Sequence, residues 1–321
     1  MELDFEKPIA DVEAKIAELT KVGEQPDPKV QDQIDVLKTE LAKAEKEIYA
    51  NLTPWQAVQV ARHPDRPVFG DYIKGMCSEF VELHGDRCFG DDRALIGGFA
   101  MIGSHRVMLI GIEKGRNTDE KVQCNFGMAN PEGYRKALRL MRLAEKYGVP
   151  IVSIVDTPAA YPGKEAEERG QAEAIARNLT EMAMVQVPFI VVITGEGGSG
   201  GALGIAVGDL VLMLSNAIYS VIPPEGCAAI LWRDAKMAPE AAEALQITAP
   251  ALKKLKVIDD IIPEPAGGAH RHKDETILIV KEALIRRIRR MKRRNAKTLV
   301  EKRFDKYAAI GKYDSRRYAS H

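Results

Sequence analysis

Between Pro188 and Gly208 the chain passes from an apolar, β-branched run, Phe189 to Ile193, through Thr194-Gly195-Glu196-Gly197-Gly198-Ser199-Gly200-Gly201 into the apolar stretch Ala202 to Val207. That order reads as a buried strand, a glycine loop and a short buried helix. Five glycines in the seven positions 195–201 leave backbone N–H groups uncovered. The helix that follows turns the positive end of its dipole toward the loop. A negative charge suits such a place, whether permanent or developing in a transition state.

Several motifs fit the loop. Gly195-x-Gly197-x-x-Gly200 matches the dinucleotide fingerprint, but it comes late in the chain, before a short helix. It also lacks the acidic residue expected about twenty positions on. No Lys-Ser/Thr follows, which excludes a Walker loop. Gly197-x-Ser199-x-Gly201 matches the nucleophile elbow of a serine hydrolase, with Asp259 and His270 following in hydrolase order; Gly195 and Glu196 interrupt the sharp turn an elbow needs. A third reading is an oxyanion cradle built from the Gly200 and Gly201 amides, with no side-chain nucleophile. The bland alternative is a tight crossover that needs glycine for packing alone. One or two glycines satisfy that need, whereas five suggest close approach by a ligand.

Strands expected near Val107, Ile151 and Phe189 recur about every forty residues with helices between them, which predicts parallel crossovers and an α/β layered fold. Further strands are expected at Leu210 to Leu214, Ile218 to Ile222 and Val257 to Ile262, and a hairpin at Gly103-Ser104. The loops at 156–163, 195–201 and 223–226 then follow strand C-termini, where ligands gather in such folds. Upstream, Ile9, Val12, Ile16 and Leu19, then Val30 to Ile48, predict two amphipathic helices forming a charged hairpin, broken at Gly23 to Pro28. Thr53-Pro54 starts another helix, and one is expected from about Asp71 to Leu83. Others are expected from Pro131 to Tyr147, from about Ala166 to Val185, and from Glu275 onward. The stretch from Arg116 to Ala129 reads as polar and irregular, and Gly311 to His321 as a polar, disordered tail.

Lys plus Arg equals Asp plus Glu, 46 each, so no global charge pulls the chain toward nucleic acid. The local exception is the run Arg286, Arg287, Arg289, Arg290, Lys292, Arg293 and Arg294. A solvated face is the favoured reading of it, and a nucleic-acid scaffold the less favoured one. Cys77, Cys88, Cys124 and Cys227 are scattered, and no metal-ligand spacing occurs. No apolar run reaches a membrane span. The acidic start lacks a signal core, which points to the cytoplasm.

Ala61-Arg62-His63-Pro64, Asn125-Phe126-Gly127-Met128, Pro131-Glu132-Gly133-Tyr134-Arg135-Lys136-Ala137, Asp156-Thr157-Pro158 and Ala166-Glu167-Glu168-Arg169-Gly170-Gln171 carry a family resemblance. The glycine loop, Pro224-Glu225-Gly226-Cys227 and Gly267-Gly268-Ala269-His270-Arg271 extend it. Over nearly its full length the chain resembles the α subunits of bacterial acetyl-coenzyme A carboxylase carboxyltransferases. One departure is Ala159, where the family usually has glycine. A positive φ there would strain alanine.

The resemblance implies a crotonase-like superhelix of ββα units at 53–270, an N-terminal helical hairpin at 1–52, and C-terminal basic helix and tail at 271–321. It implies carboxyl transfer from carboxybiotin, borne on a biotin carboxyl carrier protein, to acetyl-coenzyme A, giving malonyl-coenzyme A. ATP would be spent by a partner biotin carboxylase, and zinc would sit on the β subunit of an α2β2 assembly, with none on this chain. The α subunit would face biotin and the β subunit coenzyme A. Gly200 and Gly201 would supply backbone donors to the biotin oxygen. Gly197, Gly198, Ser199, Asp156, Thr157, Pro158, Ala159, Tyr161, Glu225 and Gly226 would contact biotin or substrate. A serine hydrolase using Ser199 is the rival reading.

Overall fold

The computed structural model describes residues 3–20 and 28–311. The expected breaker at 23–27 and the expected tail beyond Gly311 lie outside the described residues. The chain opens with the paired helices α1 (Lys7–Thr20) and α2 (Pro28–Ala50). Ile9, Val12 and Ile34 are buried on this pair, in line with the helical spacing of its apolar residues. Next comes α3 (Pro54–Ala61), started by a capping box. The Thr53 hydroxyl accepts from the Gln56 amide at 3.2 Å, and the Gln56 side chain accepts from the Thr53 amide at 2.8 Å.

α4 (Phe69–Met76) gives way to β1 (Cys77–Glu82), so the single helix expected from Asp71 to Leu83 is half strand. The reason is tertiary. Cys77 to Glu82 pairs antiparallel with β2 (Leu95–Ile102), with Val81 opposite Phe99. Cross-strand contacts of β-branched and aromatic residues outweigh a weak local helix preference there. β2 returns through the turn at Gly103 into β3 (His105–Ile112). The polar stretch that follows contains α5 (Thr118–Gln123), whose first turn is capped by the Asn117 side chain.

α6 (Pro131–Lys146) leads to β4 (Ile151–Thr157). The helix expected over 166–185 is two pieces, α7 (Lys164–Glu168) and α8 (Gln171–Met184). Gly170 separates them at φ 84°, a conformation only glycine adopts freely. Then come β5 (Phe189–Gly198), α9 (Ser199–Leu203), β6 (Leu210–Leu214), β7 (Ile218–Ser220) and α10 (Pro224–Trp232). The chain finishes with α11 (Ala238–Leu245), α12 (Ala249–Lys254), β8 (Asp260–Ile262), α13 (Lys273–Met291) and α14 (Ala296–Ala308).

The strand order is β1-β2-β3-β4-β5-β6-β8, antiparallel from β1 to β3 and parallel from β3 onward. β5 is the centre. Its first half lies between β4 and β6, and its end, Glu196 to Gly198, pairs with β7. Phe189 to Ile193 are wholly buried. Each such side chain contributes about 1.5–3 kcal/mol on burial. α6 covers β2 and β3, and packs against α8. This arrangement brings the C-terminal ends of β3, β4 and β5 together. None of the described helices is long and apolar enough to cross a membrane.

Candidate active site

The strand after Pro188 runs further than the sequence suggests. Gly195, Glu196, Gly197 and Gly198 belong to β5, and the turn is compressed into Ser199, at φ 46°. α9 starts at once. Most of the glycines answer to packing within the chain. A Cβ on Gly195 would lie 2.4 Å from the Asp156 carboxylate, and one on Gly197 2.6 Å from the Tyr219 ring. On Gly198 it would lie 1.9 Å from the Pro158 carbonyl oxygen, and on Gly201 2.4 Å from the Ala159 carbonyl carbon. Gly200 alone of the five is open, its nearest neighbour Ile175 being 3.6 Å away. The inference that five glycines mean a ligand is therefore corrected: four of them let the 156–160 loop and Tyr219 approach the strand.

The backbone of this turn is pinned from behind. The Tyr134 hydroxyl donates to the Gly201 carbonyl at 3.3 Å, and the Gly204 amide donates to the Gly200 carbonyl at 2.9 Å. Asn178 donates to the carbonyls of Tyr134 and Gly204, both at 2.9 Å. With the carbonyls held inward, the Gly200 and Gly201 amides sit in a first helical turn, where no intrahelical acceptor is required. Neither donates to a described backbone group outside its own helix.

The facing loop is equally fixed. Thr157 is fully buried and closes the turn on itself: its hydroxyl donates to the Ala159 carbonyl at 2.7 Å and accepts from the Ala159 amide at 3.2 Å. Ala159 is not among the residues with positive φ, so alanine carries no strain at that position. The Tyr161 amide donates to the Ala129 carbonyl at 3.0 Å, and its ring lies over Gly163. Pro158, Ala159 and Tyr161 are half-buried beside the turn.

Behind both loops lies a chain of charges; sequence reasoning named Asp156 and Glu225 in it but missed Lys114, Arg62 and Glu196. Lys114, just past β3, reaches Asp156 at 2.6 Å and Glu196 at 3.2 Å. Arg62, at the end of α3, reaches Glu196 at 2.7 Å and also pairs with Glu225, at the start of α10. Burial opposes the Lys114 charge, but Asp156 and Glu196 outweigh it and hold the ammonium above its ordinary pKa. Burial likewise raises Glu196, yet Lys114 and Arg62 win and keep its carboxyl below the usual value. The Asp156 carboxylate, in a residue 7% exposed, is thus engaged inside the protein and also accepts from the Glu196 amide at 2.8 Å. Glu225 and Gly226 are half-buried at the rim. A signal for two of the missed residues existed: Lys114, like Asp156, is a charge just past an apolar strand run, and Glu196 is the one charge among the glycines.

Ser199 has the strand-turn-helix setting of an elbow, but its expected partners are elsewhere engaged. His270 Nε2 lies 3.1 Å from Glu6, and its ring stacks on His63 with centroids 4.3 Å apart. Asp259 accepts from the Val211 amide at 2.7 Å and from Lys306 at 2.9 Å. No hydrogen bond links Ser199, His270 and Asp259 among the described residues, so the triad is not assembled. Beside Ser199 lies an open, mostly apolar slot of about 300 Å³, bordered by Leu203, Tyr219, Val221, Leu245 and Leu252. The basic helix α13 buries Ile277, Val280, Leu284, Ile288 and Met291, the face its spacing predicts. Arg287 on it pairs with Asp260 at 2.6 Å. No cluster of His, Cys, Asp or Glu among the described residues is arranged to hold a metal ion.

Known proteins share this architecture. The structure superposes on transcarboxylase 12S, solved with methylmalonyl-coenzyme A and methylmalonic acid, with a TM-score of 0.54 at 20% identity, covering 67% of this chain and 41% of that one. It superposes on the β subunit of the P. aeruginosa geranyl-CoA carboxylase at 0.54 and 17% identity, covering 76% and 46%. The fold is the crotonase-like fold of these carboxyltransferases. In sequence the chain is 56% identical over 319 residues to the acetyl-coenzyme A carboxylase carboxyl transferase subunit alpha of Geobacter metallireducens, covering 97% of this chain and 98% of that one. It is 53% identical over 312 residues to the subunit of the same name from Anoxybacillus flavithermus, covering 97% and 96%. A family model described as acetyl co-enzyme A carboxylase carboxyltransferase-like matches residues 2–311. With the glycine turn, the facing Asp156-Thr157-Pro158 loop and near end-to-end agreement all in one chain, this protein belongs to the α-subunit family of acetyl-coenzyme A carboxylase carboxyltransferases.

Proposed function

We propose that the turn at Gly200 and Gly201 stabilises the biotin side of carboxyl transfer. The substrate is carboxybiotin on a carrier protein, charged by an ATP-dependent biotin carboxylase in the cytoplasm, and the acceptor is acetyl-coenzyme A. As the nitrogen–carboxyl bond breaks, its electron pair moves onto the ureido group and the ureido oxygen becomes negative. The Gly200 and Gly201 amides donate to that oxygen. The ureido nitrogen takes the proton lost by the acetyl methyl group, and the resulting carbanion takes the carboxyl carbon. Biotin and malonyl-coenzyme A are the products. The observation that carries this reading is the pair of first-turn amides, held in place through their own carbonyls and with no acceptor outside their own helix among the described residues. Gly197, Gly198, Pro158, Ala159, Tyr161, Ser199 and the rim residues Glu225 and Gly226 shape the approach of the ring. Asp156 and Thr157 hold the loop that bears them.

The same reaction develops charge on a second oxygen, that of the thioester. The other glycine pairs of the chain are already used. Gly97 and Gly98 lie in β2 against Leu140 and Val81. Gly267 and Gly268, at φ 85° and 81°, face Glu45 and Tyr49 of the hairpin. We therefore assign the second donor set and the coenzyme A surface to a β subunit, which would carry the zinc, in an α2β2 assembly. We assign 53–270 to the carboxyltransferase core, 1–52 to the helical hairpin and 271–321 to the C-terminal helices and tail.

The test deletes one amide without adding bulk: an ester replaces the Ser199–Gly200 peptide bond in the α–β complex, and malonyl-coenzyme A is followed. Turnover is expected to fall about a hundred- to a thousand-fold, the usual cost of one oxyanion donor. Full turnover by the ester variant would refute the assignment. The isolated α chain is expected to fold yet form no malonyl-coenzyme A.

A further inference from the structure

The ladder between β4 and β5 is broken near its end. Val155 pairs with Ile193, but the next pair is Thr157 with Gly197, two residues on one strand against four on the other. Between those two pairs ordinary strand pairing lapses, and Asp156 and Glu196 lie in the gap. Side chains take over at this gap. The Asp156 carboxylate accepts from the Glu196 amide at 2.8 Å, and Lys114 joins both carboxylates from the neighbouring strand.

We propose that Lys114 is a positioning residue for carboxyl transfer, a clamp from β3 that sets the 156–160 loop against the Gly198–Gly201 turn. Asp156 is two residues from Pro158, and Glu196 is two residues from Gly198. Those are the positions where the two backbones meet, with space for no Cβ between them. A shift of either carboxylate is thus passed directly to the amides of the turn. Arg62 extends the clamp from Glu196 to Glu225 at the start of α10. With Lys114 neutralised, two buried carboxylates face each other across the gap, Glu196 keeping its Arg62 partner and Asp156 only the field of Arg66, which is itself paired with Glu264. Like charges so placed push the loops apart. Displacements of about 1 Å at a site of this kind cost up to roughly a hundred-fold in rate. This role for Lys114 rests on the amide assignment above, because it is the turn that Lys114 aligns.

The test is made in the reconstituted α–β complex with carboxybiotin and acetyl-coenzyme A. Lys114→Met should lower kcat about ten- to a hundred-fold while the KM for acetyl-coenzyme A and the assembly of the complex stay unchanged. Lys114→Met combined with Glu196→Gln, which removes the opposed charge, should recover most of the lost kcat. Wild-type kcat in Lys114→Met would overturn the proposal. So would a loss of assembly that the double variant does not repair, since the role would then be structural. The ester at Gly200 separates the two readings: if it is fully active while Lys114→Met is impaired and rescued, the amide assignment fails and the clamp stands.

Discussion

The α-carbon of Gly201 lies so close to the Ala159 peptide that a methyl group on it would stand 2.4 Å from the Ala159 carbonyl carbon. Neither partner can yield, because both are backbone. Gly201→Ala should therefore destabilise the chain by about 1–3 kcal/mol, the range for overpacking. Gly200→Ala, with 3.6 Å to a movable Ile175 side chain, should lie within about 0.5–1 kcal/mol of wild type, the difference in helix propensity. Denaturant midpoints of the two variants, measured side by side, check the contrast; equal midpoints would contradict it.

Ser199 occupies an elbow-like turn with no histidine partner among the described residues. Ser199→Ala is expected to keep turnover in the α–β complex within about tenfold, whereas loss of a true serine nucleophile costs about a million-fold. The wild-type chain should not react with a fluorophosphonate, read by intact mass. A covalent adduct on Ser199 would revive the hydrolase reading.

Glu6 ties the helical hairpin to the body of the protein through His270 at 3.1 Å and Arg271 at 3.3 Å, and it also accepts from the Tyr49 hydroxyl of α2. Burial alone would raise its carboxyl, but those hydrogen bonds prevail and lower it from 4.5 to about 2. Because the folded value is depressed, the stabilisation is complete above the unfolded value of 4.5 and is lost as pH falls toward 2. Amide exchange in α1 and α2 should accelerate across that window before the core strands respond. In Glu6→Gln the acid-induced change should be strongly reduced, and an unaltered pH profile would disprove the attachment.

Arg303, fully buried on α14, fastens the C-terminal helices to the core. It pairs with Asp209 at 3.0 Å and donates to the Met182 and Val185 carbonyls, both at 2.8 Å. Those carbonyls lie at the exit of α8, where Met182 otherwise receives only the Val185 amide, at 3.4 Å. Arg303→Met should cost about 3–5 kcal/mol, because Asp209 is left charged and buried. Arg303→Met with Asp209→Asn should be less damaging than the sum of the two single changes. Additivity in a double-mutant cycle would show that the pair is not coupled.

The α/β layering, the helical hairpin and the glycine turn were all legible in the sequence, because apolar spacing reports burial directly. Cys77 to Glu82 was not: its strand state depends on Leu95–Ile102 arriving beside it. The extension of β5 through Gly198 escaped for a related reason. Glycine-rich sequence reads as loop, while here Tyr219 and the 156–160 loop supply the partners that make it strand. The family motifs marked Asp156 and Glu225 as site residues, but the charges they pair with, Lys114 and Arg62, were seen only once the strand ends met.

The sequence alone determined the parallel α/β layering, the N-terminal helical hairpin and the family. These follow from residue type and spacing, which are local properties. Tertiary structure decided why each glycine is a glycine. Gly195, Gly197, Gly198 and Gly201 make room for other parts of the chain, and Gly200 is left open. It also decided that Asp156 and Glu196 face a shared lysine instead of solvent. The physical reason is that close approach and charge pairing join residues up to 163 positions apart, and no local pattern encodes which distant backbone or ammonium group will fill a given space.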